Sequence, residues 1–197
     1  VNSQPIMIGT SDDVTGDISY TSGVVTGQMR RFFSSGPGSK FFPVGISGTE
    51  RGVTVNFATS GPGVNQYLTA EYKTGLPTLS GSDAHYSGLP LTTSDGQLIQ
   101  NFHEDGYWDI SPGSTSTGDS YTTSINAKEY TVSIHMNDLR DAAGENQDKD
   151  KVRIIKSAGS NTPSQHHVSW TGMTHVSTSG TNADFTVVAT GTGFSTF

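Results

Sequence analysis

The sequence predicts an all-β chain, folded as an antiparallel β-sandwich of about eight to ten strands. Three observations carry that prediction. Apolar and polar residues alternate with period two, as in Val53, Val55 and Phe57 around Thr54 and Asn56, and in Tyr130, Val132 and Ile134. Turn clusters such as SSGPGS at 34–39 and TSGPGV at 59–64 punctuate the apolar runs. No stretch has the length and 3.6-residue spacing of a buried helix.

Taken in order, residues 1–23 form a lead-in segment or an edge strand, with short apolar steps at 6–8 and 18–20. Residues 24–197 form one sandwich domain. Within it, strands are expected at 24–33, 41–44, 52–57 and 65–73. Residues 74–95 hold three Gly and two Pro with little periodicity, and form the longest irregular segment. Long loops on β scaffolds are where binding tends to sit. Further strands are expected at 98–102 and 106–111. A hairpin is expected from 120–125 and 129–135, and three more strands from 151–157, 166–170 and 184–189. Residues 137–151 are the most charged stretch and read as a loop with a turn of helix, because Gly144 interrupts them.

Composition narrows the function. The 197 residues carry a formal charge of −7 with only 11 Lys and Arg. Binding to a nucleic-acid duplex needs clustered cations that replace counterions, so nucleic acid is not an expected partner. No run of 18 apolar residues exists to insert in a bilayer. The absence of cysteine rules out disulfides and thiolate metal sites. The Ser, Thr and Gly-rich composition leans towards an extracellular or cell-surface location.

Four stretches, in order, carry a family likeness: 16–33 (GDISYTSGVVTGQMRRFF), 42–52 (FPVGISGTERG), 106–111 (GYWDIS) and 193–197 (GFSTF). Together with 137–140 (NDLR), this order resembles a β-sandwich module of large secreted and cell-surface proteins from bacteria with a type IX secretion system. That module runs through an "FPVG…YRP" strand pair, a "GYW" strand and an "FSPF" end. Here Gly52 stands where the module has Pro, and Thr196 likewise. The resemblance implies an exported, non-catalytic domain within a longer polypeptide, and carries over no catalytic residue.

The residues themselves offer three kinds of site. Two carboxylates about 5–9.5 Å apart would serve glycoside hydrolysis. His103, Glu104 and Asp105 beside Trp108 suggest such a place, or else a polar turn before a strand whose Trp fills the core. For a metal, calcium is the fitting ion, because hard cations take six to eight oxygens. Asp138, Asp141, Asn146, Asp148 and Asp150 are the candidate ligands; a solvated charged loop is the alternative. For a ligand, sugar rings stack on exposed aromatics. Tyr86 in the 74–95 loop, with Asp83 and His85, and Trp170 are the candidate binding residues.

The expectation is therefore a non-enzymatic binding or adhesion module that recognises a glycan. The alternatives are a structural spacer or self-assembling fibre subunit, whose partners would be neighbouring protein subunits, and, behind both, a polysaccharide-active enzyme.

Overall fold

The computed structural model describes residues 4–11, 13–75, 89–103, 105–115, 127–140, 144–157, 170–194 and 197. Among them the fold is all-β, an antiparallel sandwich with no α-helix. In chain order the strands are β1 (Ile6–Ile8), β2 (Met29–Phe32), β3 (Gly38–Phe42), β4 (Gly45–Ile46), β5 (Thr49–Glu50), β6 (Val53–Phe57) and β7 (Gln66–Thr74). Then come β8 (Leu91–Thr92), β9 (Leu98–Ile99), β10 (Gly106–Ser114), β11 (Glu129–Asn137), β12 (Ile155–Ser157), β13 (Trp170–Gly172), β14 (Thr174–Thr181) and β15 (Asp184–Thr192). One sheet has the order β1-β2-β7-β10, and the other β14-β15-β11-β6-β3. The remaining strands form three two-stranded ribbons, β4-β5, β8-β9 and β12-β13.

The core follows from the period-two pattern. Val53, Val55 and Phe57 of β6 are buried, as are Tyr130, Val132, Ile134 and Met136 of β11, and Phe185, Val187 and Ala189 of β15. Val132 lies opposite both Val55 and Ala189, so three strands present one continuous apolar surface. Leu68, Ala70 and Tyr72 of β7 and Trp108 and Ile110 of β10 face it from the other sheet. Each Val, Leu, Ile, Phe or Met among them contributes about 1.5–3 kcal/mol on burial. Aromatic contacts pin the centre. Tyr130 stacks on Phe194 at 4.1 Å, and its hydroxyl donates to the Gly193 carbonyl at 2.7 Å.

Several elements differ from the sequence expectation. The strand expected at 24–33 begins only at Met29, while Val25 makes a single parallel bridge to Val44. β10 runs past residue 111 through Pro112 and Gly113, which an edge strand tolerates. Gly113 sits opposite Tyr67, whose ring occupies the space a Cβ would need. The 120–125 half of the expected hairpin lies outside the described residues, and β11 is flanked by β15 and β6. Of 166–170 only Trp170 is described. β14 has no counterpart in the sequence reading, because its side chains are exposed on both faces and show no apolar period.

Residues 6–8 are an edge strand, paired parallel to β2 with Ile6 opposite Met29. The chain beyond it crosses to the other sheet. Arg31, 2% exposed, donates to the Phe41 carbonyl at 2.9 Å and the Gly16 carbonyl at 3.3 Å. Lys40 of β3 meets Asp17 at 3.0 Å. A two-residue turn at Ser47 (φ 51°) and Gly48 (φ 81°) closes β4 onto β5, the mirror-image turn that matches strand twist.

Candidate functional site

At one end of the sandwich two stretches of chain stand apart and leave a cleft of about 770 Å³. That volume suits a small organic ligand. One wall is formed by residues 99, 101–103 and 105–108, between β9 and the start of β10. The other is formed by residues 139, 140, 147 and 151–155, which follow β11. Ile134 and Met136 of β11 form the floor, with Trp108, Trp170 and Phe197 lining it.

Local chemistry explains why the chain takes these paths. After β11, Asp138 adopts a left-handed conformation (φ 53°) that ends the strand, a geometry Asp tolerates better than most residues. Leu139 then tucks into the core, and its carbonyl accepts from the Gln147 amide at 2.9 Å. The Asp148 carboxylate accepts from the Asp150 amide at 3.2 Å and caps a single 3-10 turn, Lys149–Lys151. Where the two walls meet, a small second core holds Ile99, Ile155 and Trp170, with Leu89, Leu91 and Phe102 against it. Phe102 packs on Trp170 at 4.9 Å between ring centres.

The polar groups divide between the walls. Asn101, His103 and Asp105 lie on the first, Arg140, Gln147, Lys151 and Arg153 on the second. The His103 imidazole stands 3.7 Å from the Asp105 carboxylate. Burial pushes the His103 pKa down, and nearby Asp105 opposes the shift. Arg153 holds Asp95 at 2.7 Å. The Thr93 hydroxyl donates to the same carboxylate at 2.6 Å and, with Arg153, brings the Asp95 pKa down to about 2.

Of the residues singled out from sequence, Tyr86, Asp83, His85 and Glu104 lie outside the described residues, as does Asp141. Trp170 is placed at the cleft, but only 7% exposed, as part of its lining rather than as a free platform. Trp108 is core as well as cleft lining. The described aspartates of the acidic loop face cations. Asp138 binds Arg140 at 2.6 Å, Asp148 faces Lys151 at 3.3 Å, and Asp150 binds Lys149 at 2.6 Å. Asn146 makes a bridge with Arg140. Among the described residues no three His, Asp or Glu side chains come together as a metal site.

Sequence reasoning missed Asn101, Phe102, Gln147 and the cations of the second wall. The charged character of 137–151 is the available signal for Arg140 and Lys151, and Arg153 lies just beyond it. No family model matches this chain, and neither a curated protein nor a solved structure shows significant similarity to it.

Proposed function

We propose that the chain is a non-catalytic binding module of a larger exported or cell-surface protein, and that its ligand is a saccharide seated in the cleft. One observation carries the reading. The cleft brings aromatic side chains (Phe102, Tyr107, Trp170) together with the amides and carboxylate of Asn101, Gln147 and Asp105. Sugar rings offer CH faces to aromatics and hydroxyls to such polar groups. The extracellular placement draws on the composition and the resemblance described above.

A broad glycan array, followed by calorimetry with and without calcium, tests the reading. Binding that weakens about fivefold or more in Asn101→Ala and Gln147→Ala, with unchanged circular dichroism, supports it. An array with no binder rejects it.

A second reading, self-association into a fibre, is favoured by β14. Other sheet edges are blunted: β1 is three residues long, β3 carries Lys40, and β10 contains Pro112 and pairs with Phe197. β14 has eight residues, His175 as its one ionisable group, and Val176 at 55% exposure. A second copy of β14 would meet no like charge there. Concentration-dependent sedimentation abolished by Val176→Lys supports this reading, and a strictly monomeric chain at high concentration rejects it.

A further inference from the structure

We infer that the ligand of the cleft carries an anionic group, a carboxylate or a sulfate, received by Lys151 and Arg140. This deepens the saccharide reading and rests on it. The chain has a formal charge of −7 and only 11 Lys and Arg in 197 residues. Three of those 11, Arg140, Lys151 and Arg153, nevertheless line one wall of one cleft.

Their counter-ions lie elsewhere. Asp138, Asp148 and Asp95, which pair with Arg140, Lys151 and Arg153 respectively, are not among the cleft-lining residues. These carboxylates therefore hold the cations from outside the lining, and positive charge borders the cavity on this wall, across from Asp105. Fixed charge bordering a cavity with apolar walls acts more strongly on a ligand than the same charge on open surface.

The three cations are not equivalent. Arg153 has an 11% exposed side chain, binds Asp95 at 2.7 Å, and also donates to the carbonyls of Asp150 and Val152. It is a structural tie. Arg140 is held in place by Asp138 through Nε at 2.8 Å and by the Gly144 carbonyl through Nη1 at 2.8 Å. A guanidinium has five N–H donors, so these contacts, together with Nη2 on Asp138, orient it while leaving donors over. The Lys151 side chain is 73% exposed, with three ammonium protons and one carboxylate at 3.3 Å. A neutral sugar has no use for two positioned cations. A uronate carboxylate or a sulfate ester does, because hydrogen bonds between ionised partners are about twice as strong as neutral ones.

Isothermal titration with four probes tests this: an oligogalacturonide, its methyl ester, a sulfated oligosaccharide and a neutral oligosaccharide of equal length. The ester keeps the ring and removes the charge. The expected result is at least one acidic probe bound about tenfold tighter than its uncharged counterpart, with the advantage shrinking between 50 and 500 mM salt. Which acidic probe binds distinguishes carboxylate from sulfate. Lys151→Gln and Arg140→Gln are each expected to remove most of that advantage. Lys151 is exposed enough that its variant stands as the test even if Arg140→Gln unfolds. Equal binding of charged and uncharged probes overturns the inference and leaves the saccharide reading intact. A charge preference unchanged in Lys151→Gln overturns the assignment to this wall. No binding by any probe or by any member of the array removes the saccharide reading, and this inference with it.

Discussion

The indole N–H of Trp108 donates to the carbonyl oxygen of Arg51 at 2.7 Å, from β10 in one sheet to a residue two positions ahead of β6 in the other. Trp108 also exchanges backbone hydrogen bonds with Phe197, at 3.0 and 2.8 Å. The ring stands edge-on to Tyr72 at 5.1 Å. One residue thus joins the two sheets, the C-terminal segment and the cleft lining.

Replacing Trp108 with Phe keeps an aromatic ring but leaves the Arg51 carbonyl without its donor and opens space beside Tyr72. The expected loss is about 2 kcal/mol of unfolding free energy, read from urea titration with an unchanged slope. A loss below about 0.5 kcal/mol would show that the indole bond is not what holds the sheets in place.

Gly113 gives a steric prediction. A Cβ there collides with the Tyr67 ring, whereas a Cβ on Gly36 meets nothing within 4 Å. Gly113→Ala is expected to destabilise by about 1–3 kcal/mol, and Gly36→Ala to change stability little. Thermal melts of the two variants side by side decide it; equal melting temperatures would mean that Tyr67 moves aside freely.

The Asp95 carboxylate links stability to pH. Thr93 and Arg153 hold its folded pKa at about 2, below the unfolded value near 3.9. A depressed folded pKa contributes stability above the unfolded value and loses it as pH falls through the folded one. The contribution is therefore present at pH 5 and lost between about pH 4 and pH 2. The side chain is 29% exposed, so screening reduces it to about 1 kcal/mol. Asp95→Asn is expected to be less stable than the parent at pH 5, with the gap closing towards pH 2. A gap that stays constant over that range would rule the linkage out.

The acidic loop gives a metal prediction. Arg140 sits between Asp138 and the Gly144 carbonyl, and Asp148 and Asp150 face lysines. A cation would have to displace these partners. The expected melting temperature is the same in EDTA and in millimolar calcium. A site of about 10 μM affinity would instead add about 2.7 kcal/mol at 1 mM, so the two outcomes are well separated. An upward shift would mean that the loop rearranges around the ion.

Period-two alternation made β6, β7, β11 and the first half of β15 legible, because one buried face leaves a direct mark on residue order. The Trp108 strand was legible for the same reason. β14 was not, since a strand exposed on both faces carries no apolar period. The Ser47–Gly48 turn left only a Ser-Gly pair, too common a signal to resolve two-residue strands on either side.

The sequence by itself determined the class: short alternating strands, frequent turns and too little apolar residue for a helical core. It also marked residues 137–151 as unusual in charge. Only the tertiary structure decided what that charge does. Strand neighbours come from pairings far apart in the chain, such as Thr54 with Ser133 and Ile134 with Val187. A single sequence records which face of a strand is apolar but not which strand lies beside it. The cleft exists because residues far apart in the chain, such as Asn101 and His103 on one side and Arg140 and Lys151 on the other, line the same cavity. Arg140 and Lys151 border it because Asp138 and Asp148 hold them from outside the lining, a division of charge that residue order alone does not encode.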